Sequence, residues 1–207
     1  GTGKTHCAKT LAKEYFGDEK NFIRLDMSEF SEKVSASKLI GASPGYVGFE
    51  EGGMLIEKIK KKPHSIILFD EIEKCHPDVQ QLLLQIMEEG ELEDNAGRKA
   101  YFHNTIIILT SNIGAHLFEK TSLGFGSMSD LDKDEKIKSE AVKILSPELF
   151  NRIDEVVVFH NLDIKDIKNI FKLKIKDLVT KLKEQNIGLS ISLKAQDLLC
   201  NKALDAK

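Results

Sequence analysis

The stretch Gly1-Thr2-Gly3-Lys4-Thr5 decides the fold, because a glycine turn followed by Lys-Thr is typical of a loop that binds phosphate at the start of a helix. Backbone N–H groups at such a helix start bind phosphate oxygens, the ammonium of Lys4 reaches the terminal phosphates, and the hydroxyl of Thr5 serves Mg²⁺. Gly1, Thr2 and Gly3 are therefore predicted to bind nucleotide together with these two side chains. An ordinary glycine turn is the alternative.

A second stretch, Ile66-Ile67-Leu68-Phe69-Asp70-Glu71, supplies the chemical complement. An apolar strand that ends in two carboxylates can hold the hydration shell of Mg²⁺ with the first and polarise an attacking water with the second. We therefore predict that Asp70 binds the metal through water, beside Thr5, and that Glu71 is the general base. The two stretches together predict an ATPase with ATP and Mg²⁺ as cofactors.

A further apolar run ends in the polar residues Thr110-Ser111-Asn112. Asn112 is a candidate to orient the attacking water by hydrogen bonding, and a turn residue that caps a strand is the alternative for it. Because ligands lie beyond the carboxyl ends of the strands in an α/β sheet, we expect Asn112 and the pair Asp70-Glu71 at the same edge.

Composition excludes several classes of protein. The 207 residues are 41% hydrophobic, which suffices for a packed core in one domain, or in one domain plus part of another. A net charge of −3 gives no bias toward nucleic acid or an anionic membrane. No apolar run reaches the roughly 18 residues that span a bilayer, and the first residues do not resemble a signal peptide. We expect a soluble protein with neither nucleic acid nor membrane as a partner.

The cysteines and arginines are few. Cys7, Cys75 and Cys200 lie far apart, which disfavours a disulfide framework or a structural metal site and fits a reducing compartment. The arginines merit attention because lysine cannot reproduce the planar fork that binds phosphate oxygens. Arg24 and Arg98 are interpreted as structural or substrate-loop residues.

Strands alternate with helices along the chain, which predicts an α/β fold with a parallel sheet flanked by helices. The predicted helices are Lys4–Tyr15, Met54–Lys62, one that begins at Pro77, Asp163–Gln185 and one from Ala195 onward. The predicted strands are Asn21–Met27, Ser65–Asp70, Thr105–Ser111, Glu155–Phe159 and Ile187–Leu193. The predicted loops are the glycine-rich stretch Ser37–Gly53 and the polar stretch Glu119–Lys136, which we expect to protrude.

Several motifs occur in one order along the chain. They are Gly45-Tyr46-Val47-Gly48, Asp70-Glu71-Ile72-Glu73-Lys74, His76-Pro77-Asp78-Val79, Thr110-Ser111-Asn112 and Asn151-Arg152-Ile153-Asp154. In this order they resemble the second AAA+ module of Clp ATPases, the ClpA/ClpB/ClpC group of ring-forming protein unfoldases. The resemblance covers nearly the whole chain. It implies an AAA+ P-loop NTPase fold, with a large ATPase subdomain over 1–160 and the start of a small C-terminal α+β subdomain over 161–207.

The resemblance also implies a homo-hexamer that threads unfolded or tagged proteins through its pore. In that ring Gly45-Tyr46-Val47-Gly48 is a pore loop, and the Tyr46 ring can grip any chain by contact area. Arg152 is the arginine finger that reaches the ATP site of the neighbouring subunit. The alternatives are a surface turn for Tyr46, and a pair with Asp154 or Glu148 of the same subunit for Arg152.

The tripeptide Leu123-Gly124-Phe125 distinguishes members of the group. Clp ATPases that feed the ClpP peptidase carry an aliphatic-Gly-aromatic tripeptide of this kind on a loop, so the sequence is most similar to ClpC of bacteria and plastids. The compartment implied is the bacterial cytoplasm or a plastid-type stroma. Leu123 and Phe125 could instead pack onto their own domain.

Three other functions stay open at this point. A ClpB-type disaggregase would work without a peptidase. An AAA+ nucleic-acid motor or clamp loader would share the nucleotide residues and need a basic channel. The chain could also be a non-catalytic assembly piece.

The sequence departs from the family pattern in three places. The first glycine of the phosphate loop and the strand before it are expected ahead of Gly1, and the sensor arginine beyond Lys207. Ser146-Pro147-Glu148 stands where the family usually has Arg-Pro-Glu. We therefore expect this stretch alone to bind ATP poorly.

Overall fold

The computed structural model describes residues 2–41, 45, 52–112 and 130–205. The chain forms two compact units, one of Lys4–Val158 and one of Phe159–Lys207 together with Gly1–Gly3. The helices of the first unit are α1 (Lys4–Phe16), α2 (Lys33–Ile40), α3 (Met54–Lys61), α4 (Pro77–Glu89), α5 (Asp130–Ile144) and α6 (Pro147–Phe150). Its strands are β1 (Phe22–Asp26), β2 (Ser65–Asp70), β3 (Glu91–Glu93), β4 (Lys99–Tyr101) and β5 (Thr105–Leu109).

The central feature of the first unit is a parallel sheet in the order β1-β2-β5. Every residue of β2 is buried, because the strand lies between two others and its side chains are covered on both faces. The register pairs Asp26 with Asp70 and Phe69 with Leu109, so the three carboxyl ends lie along one edge. The predicted α/β fold with a parallel sheet flanked by helices is confirmed.

Helix α4 shows how local sequence sets the element that follows the acidic pair. His76 caps its start by accepting a hydrogen bond from the N–H of Asp78 at 3.2 Å, and Pro77 occupies the first turn, where its missing N–H costs nothing. Gly90 ends the helix in the left-handed conformation at φ +68°. The buried face of the helix joins the core through Val79, Leu83 and Ile86.

The second unit contains α7 (Ile164–Lys183) and α8 (Leu193–Asp205), which contact each other. Helix α7 begins in a capping box, in which the Asp163 side chain accepts from the Asp166 N–H and the Asp166 side chain accepts from the Asp163 N–H. Lys168 of α7 pairs with Asp197 of α8 at 2.7 Å. None of the helices in the described ranges is long and apolar enough to cross a membrane.

Four sequence-based expectations on elements were wrong. Ser37–Ile40 is not loop but the second half of α2, because Leu39 is buried and the Ser37 hydroxyl donates within the helix to the Val34 carbonyl at 2.7 Å. Residues 130–136 of the predicted loop Glu119–Lys136 are helical and belong to α5. Neither Glu155–Phe159 nor Ile187–Leu193 is a strand, since neither pairs with a strand within the described ranges. The described part of the second unit is therefore helical.

Candidate active site

The candidate site lies at the carboxyl edge of the parallel sheet. Asp70 is the last residue of β2, Thr110 follows β5, and Arg24 lies on β1. Helix α1 contacts β2, and Lys4 and Thr5 are its first two residues. The fold thus brings together residues from four separate parts of the sequence.

Asp70 is the most constrained carboxylate of this edge, with only 6% of its surface exposed. It accepts hydrogen bonds from the Thr5 hydroxyl at 3.2 Å, from Arg24 Nε at 2.8 Å, and from the Thr110 hydroxyl. Burial by itself raises the pKa of Asp70, but the hydrogen bonds from Thr110 and Arg24 and the charge of Arg24 hold that pKa below its ordinary value. Asp70 is therefore an anion at neutral pH.

Glu71 adopts a left-handed backbone at φ +60°, ψ +51°, which is uncommon for a residue other than glycine. Its N–H donates to the Thr110 hydroxyl at 3.3 Å, which helps to hold this conformation. Its carboxylate accepts from Lys74 at 2.6 Å and from the Asn112 side-chain amide at 3.0 Å. Backbone strain of this kind clusters at functional sites, which fits a carboxylate held in one orientation.

Asn112 connects the two halves of the site. Its side-chain oxygen accepts from Lys4 Nζ at 2.8 Å while its side-chain nitrogen donates to Glu71. Its backbone N–H donates to Glu73 at 3.1 Å. The predicted residues Lys4, Glu71 and Asn112 thus form one hydrogen-bonded chain, which continues to Lys74.

Arg24 is a residue of this edge that sequence reasoning missed. Its guanidinium contacts one oxygen of Asp70 twice, through Nε at 2.8 Å and through Nη2 at 2.7 Å, and lies 3.4 Å from Asp26. Strand alternation places Arg24 and Asp26 on one face of β1. Only the register of the sheet, which pairs Asp26 with Asp70, brings Arg24 to this carboxylate.

The site has the donor set that Mg²⁺ and phosphate require. An ionised carboxylate and a hydroxyl, from Asp70 and Thr5, are hard oxygen donors 3.2 Å apart. The described ranges contain no group of three or more His, Cys, Asp or Glu side chains that could hold a metal ion. Gly3, the predicted glycine before Lys4, has φ +92°, and a Cβ there would meet nothing within 4 Å among the described residues. These residues fit Mg²⁺ bound with a nucleotide.

Arg152 does not reach this edge within one chain. Its guanidinium pairs with Glu88 at 2.7 Å, a partner that sequence reasoning did not consider. Glu88 lies in the last turn of α4, and the rise of 1.5 Å per residue places it about 17 Å along the helix from Pro77. The arginine is half-exposed at the far end of the helix that follows the acidic pair.

Several predicted site residues lie outside the described residues. They are Gly1, Tyr46, Val47, Gly48, Leu123, Gly124 and Phe125. Of the predicted pore loop, Gly45 is described as an exposed turn residue with φ +89°. Thr2 is also described, and its hydroxyl is buried with no hydrogen-bond partner in the part of the chain that the structure describes.

Comparison with known proteins matches both parts of the chain. Residues 1–156 match the family "AAA domain (Cdc48 subfamily)", and residues 162–207 match "C-terminal, D2-small domain, of ClpB protein". The ATP-dependent Clp protease ATP-binding subunit ClpC of Staphylococcus aureus is 47% identical over 210 residues, and the negative regulator of genetic competence ClpC/MecB of Bacillus subtilis is 44% identical. Each alignment covers 99% of this chain and 26% of the relative, so the chain spans about a quarter of these proteins.

A solved structure is similar over the same range. It is the closed-state cryo-EM reconstruction of Hsp104 with ATPyS and FITC casein. The TM-score is 0.83 at 36% sequence identity, and the similarity covers 97% of this chain and 34% of the Hsp104 chain.

Proposed function

The chain belongs to the AAA domain family (Cdc48 subfamily), as the resemblance to the second AAA+ module of Clp ATPases implied, and from this premise we propose that it hydrolyses ATP to unfold proteins. As part of a longer ClpC-like protein it assembles into a homo-hexamer and threads unfolded or tagged polypeptides through the central pore. The observation that carries the proposal is the hydrogen-bonded chain from Lys4 through Asn112 to Glu71, beside the buried anion Asp70.

In this proposal the charge of each nucleotide-binding side chain determines what it binds. Lys4 exchanges the Asn112 side-chain oxygen for terminal phosphate oxygens, which need its positive charge more than a neutral amide does. Thr5 and Asp70 hold Mg²⁺, Asp70 through water. When bound, the metal ion neutralises the negative charge that develops on the phosphates.

Glu71 acts as the general base in this proposal. Its carboxylate accepts a proton from the attacking water, and the Asn112 side-chain amide, 3.0 Å from the carboxylate, orients that water. Lys74, at 2.6 Å from Glu71, holds the other carboxylate oxygen. The left-handed backbone at Glu71 fixes the direction in which the side chain leaves the strand end.

Replacing Glu71 tests the proposed base in the full-length protein. Glu71→Gln keeps the shape and the hydrogen bond to Asn112 but cannot accept a proton, so ATP binding persists, hydrolysis falls by roughly 10²-fold or more, and substrate stays bound. Glu14→Gln on the exposed side of α1 removes the same charge and is the matched control. Hydrolysis at the wild-type rate by Glu71→Gln would refute the assigned base.

We propose in addition that Tyr46 grips the substrate and that Leu123-Gly124-Phe125 docks on ClpP. Two apolar side chains within a polar stretch suit hydrophobic clefts on a partner ring. The identity to ClpC supports a peptidase partner, whereas the match to the ClpB D2-small domain favours the second candidate, a ClpB-type disaggregase. Deleting Leu123–Phe125 abolishes association with ClpP in the first case, and ClpP does not bind even the wild type in the second.

The compartment proposed is the bacterial cytoplasm or a plastid-type stroma. The bacterial ClpC relatives support the first of these. A nucleic-acid motor is not favoured, because the net charge of −3 gives no overall bias toward nucleic acid.

A further inference from the structure

The turn between β3 and β4 is built around the buried carboxylate of Asp94, whose side chain has no exposed surface. One oxygen accepts from the N–H groups of Ala96 at 3.0 Å and Arg98 at 2.8 Å. The other accepts from Arg98 Nε at 2.7 Å. The Asp94 N–H also donates to the Arg98 carbonyl at 2.9 Å, so the turn is closed by backbone and side chain together.

This turn contacts the residues on both sides of segment 42–51. On the N-terminal side, the Asn95 side-chain amide donates to the Gly41 carbonyl at 2.7 Å, and the Asn95 N–H donates to the Ile40 carbonyl at 3.2 Å. On the C-terminal side, the Gly53 N–H is 3.5 Å from the Asp94 carboxylate. The turn thereby joins the end of α2 to the start of α3.

The Arg98 guanidinium completes the contact with the C-terminal side. It lies against Gly52 so closely that a Cβ there would stand 1.3 Å from Nη2, and it is 3.5 Å from Glu57 of α3. Nη2 is buried and has no hydrogen-bond partner among the described residues, which costs free energy that a solvated arginine would avoid. Gly41 and Gly52 are also in contact, since a Cβ on Gly41 would be 3.0 Å from the Gly52 carbonyl carbon.

The same hairpin is continuous with the candidate active site. Helix α4, which follows the acidic pair, leads into β3, and β4 leads into β5, which ends at Thr110 and Asn112. The Phe102 N–H donates to the Gly90 carbonyl at 2.8 Å and closes the base of the hairpin. The hairpin therefore connects the site edge with both ends of segment 42–51 through short, hydrogen-bonded links.

We propose that Asp94, Asn95 and Arg98 are positioning residues, which hold Gly41 and Gly52–Gly53 together and thereby set the position from which Tyr46 acts on the substrate. This inference rests on the proposed function of Tyr46. It assigns Arg98 a role in coupling hydrolysis to unfolding and none in the hydrolysis itself.

The test uses Arg98→Gln in the full-length hexamer, which removes the guanidinium from Gly52 and the ion pair from Asp94. Hydrogen exchange at the Gly53 amide is expected to rise about tenfold or more, because its acceptor and the residues that hold it lose order. The KM and kcat for ATP stay at wild-type values, while the amount of ATP consumed per substrate unfolded rises about tenfold. Arg98→Lys gives an intermediate effect on unfolding.

Lys99→Gln is the matched control. It removes one positive charge from the next residue of the hairpin, where Lys99 pairs with Glu91 at 2.6 Å away from the segment ends. We expect this variant to leave exchange at Gly53 and the unfolding yield unchanged. If Arg98→Gln impairs assembly, Asn95→Ala replaces it, because that change removes only the side-chain bond to Gly41 and is expected to raise exchange and ATP cost in the same way.

Tyr46→Ala in the same assays separates the two claims. Normal unfolding by Tyr46→Ala refutes the proposed function of Tyr46, whatever Arg98 does. Loss of unfolding by Tyr46→Ala with wild-type exchange and wild-type ATP cost in Arg98→Gln overturns the positioning role. A change in Arg98→Gln that Lys99→Gln reproduces overturns it as well, since charge alone would then be the cause.

Discussion

Asp70 is a buried carboxylate that hydrogen bonds and an ion pair hold in place, and we propose that it binds the metal ion through water. In this structure the Arg24 guanidinium is its cationic partner, and Thr5 and Thr110 donate to it from α1 and from the end of β5. Arg24 is 48% exposed and can leave, whereas Asp70 is fixed at the end of a fully buried strand. We therefore propose that the arginine supplies the positive charge beside Asp70 in the absence of Mg²⁺ and nucleotide.

Arg24→Gln tests this exchange of cations. We expect the free energy of unfolding without nucleotide to fall by about 1.5–3 kcal/mol, because a charged hydrogen-bond partner is lost. In a Glu71→Gln background, ATP with Mg²⁺ should restore most of that loss, while ATP with EDTA should not. Thermal unfolding measures both conditions.

Lys9→Gln is the control for Arg24→Gln, because it breaks the exposed pair with Glu19 on the same helix as Thr5. It should show no difference between the two nucleotide conditions. A stability deficit of Arg24→Gln that is identical with and without Mg²⁺ would contradict the exchange.

Acid stability is a further property of single residues. Burial raises the pKa of Asp94, but the hydrogen bonds from Arg98, Gly53 and Ala96 hold it below the ordinary value of 3.8. Because the folded-state pKa is the lower one, Asp94 stabilises the fold fully above pH 3.8 and loses that contribution as the pH falls through the folded-state value.

Denaturant unfolding between pH 6 and pH 3 checks this sign. We expect stability to decline on the acid side in the wild type and less steeply in Asp94→Asn, which has no proton to bind there. Asp177→Asn on the exposed face of α7 is the control and should leave the slope as in the wild type. An equal slope in Asp94→Asn would contradict the assignment.

Sequence reasoning at this scale predicted residue identity better than residue contacts. Lys4, Asp70, Glu71 and Asn112 were predicted to share a site because they follow strand and helix ends, and the fold joins Lys4, Asn112 and Glu71 by hydrogen bonds. Their chemical roles stay predictions. The Arg24 contact depended on which face of β1 meets the end of β2, which spacing in one strand does not specify. The partner of Arg152 was likewise set by tertiary packing.

At the scale of elements, Gly53 and Gly188 both have ordinary backbone angles but differ in the space around them, so they can be compared directly. A Cβ on Gly53, at the start of α3, would stand 2.6 Å from the Leu39 carbonyl oxygen and 2.8 Å from Ile40 backbone atoms. Among the described residues, a Cβ on Gly188 would meet nothing within 4 Å. The close approach of α2 and α3 therefore requires glycine at position 53.

Gly53→Ala should separate α2 from α3, because the neighbouring atoms are backbone and cannot rotate away. We expect hydrogen exchange in both helices to correspond to a local loss of about 1–3 kcal/mol. Gly188→Ala should leave exchange in these helices unchanged. Wild-type protection of α2 and α3 in Gly53→Ala would show that their contact is looser than described.

Element prediction was accurate where burial and sequence pattern agreed. The buried strand Ser65–Asp70 and the helix that begins at Pro77 were predicted with these bounds. The strands predicted at Glu155–Phe159 and Ile187–Leu193 were wrong, because an apolar run becomes a strand only beside another strand. The predicted loop Ser37–Gly53 was wrong over Ser37–Ile40, because Leu39 is buried in the core and these residues continue α2.

At the scale of the whole molecule, a complete hydrolytic site of the proposed kind requires more than one chain. The predicted phosphate-binding residues Lys4 and Thr5 and the carboxylates of Asp70 and Glu71 lie near the start of α4. Arg152 lies with Glu88 near its end. A head-to-tail ring can place Arg152 of one subunit at the phosphate-binding residues of the next subunit, whereas a single chain with this geometry cannot. Complete hydrolytic sites are therefore expected only between subunits.

Mixing two inactive variants of the full-length protein tests this claim most directly. Arg152→Ala and Glu71→Gln are each expected to hydrolyse ATP at a small fraction of the wild-type rate. In rings assembled from equal amounts of both, an Arg152→Ala subunit still offers Glu71 and a Glu71→Gln subunit still offers Arg152. A site is intact where an Arg152→Ala subunit supplies Glu71 and its Glu71→Gln neighbour supplies Arg152, which is the case for about a quarter of all sites. The hydrolysis rate should therefore recover to about a quarter of the wild-type rate. If subunits exchange and the mixture stays as inactive as its two components, each site is built within one chain and the account is contradicted.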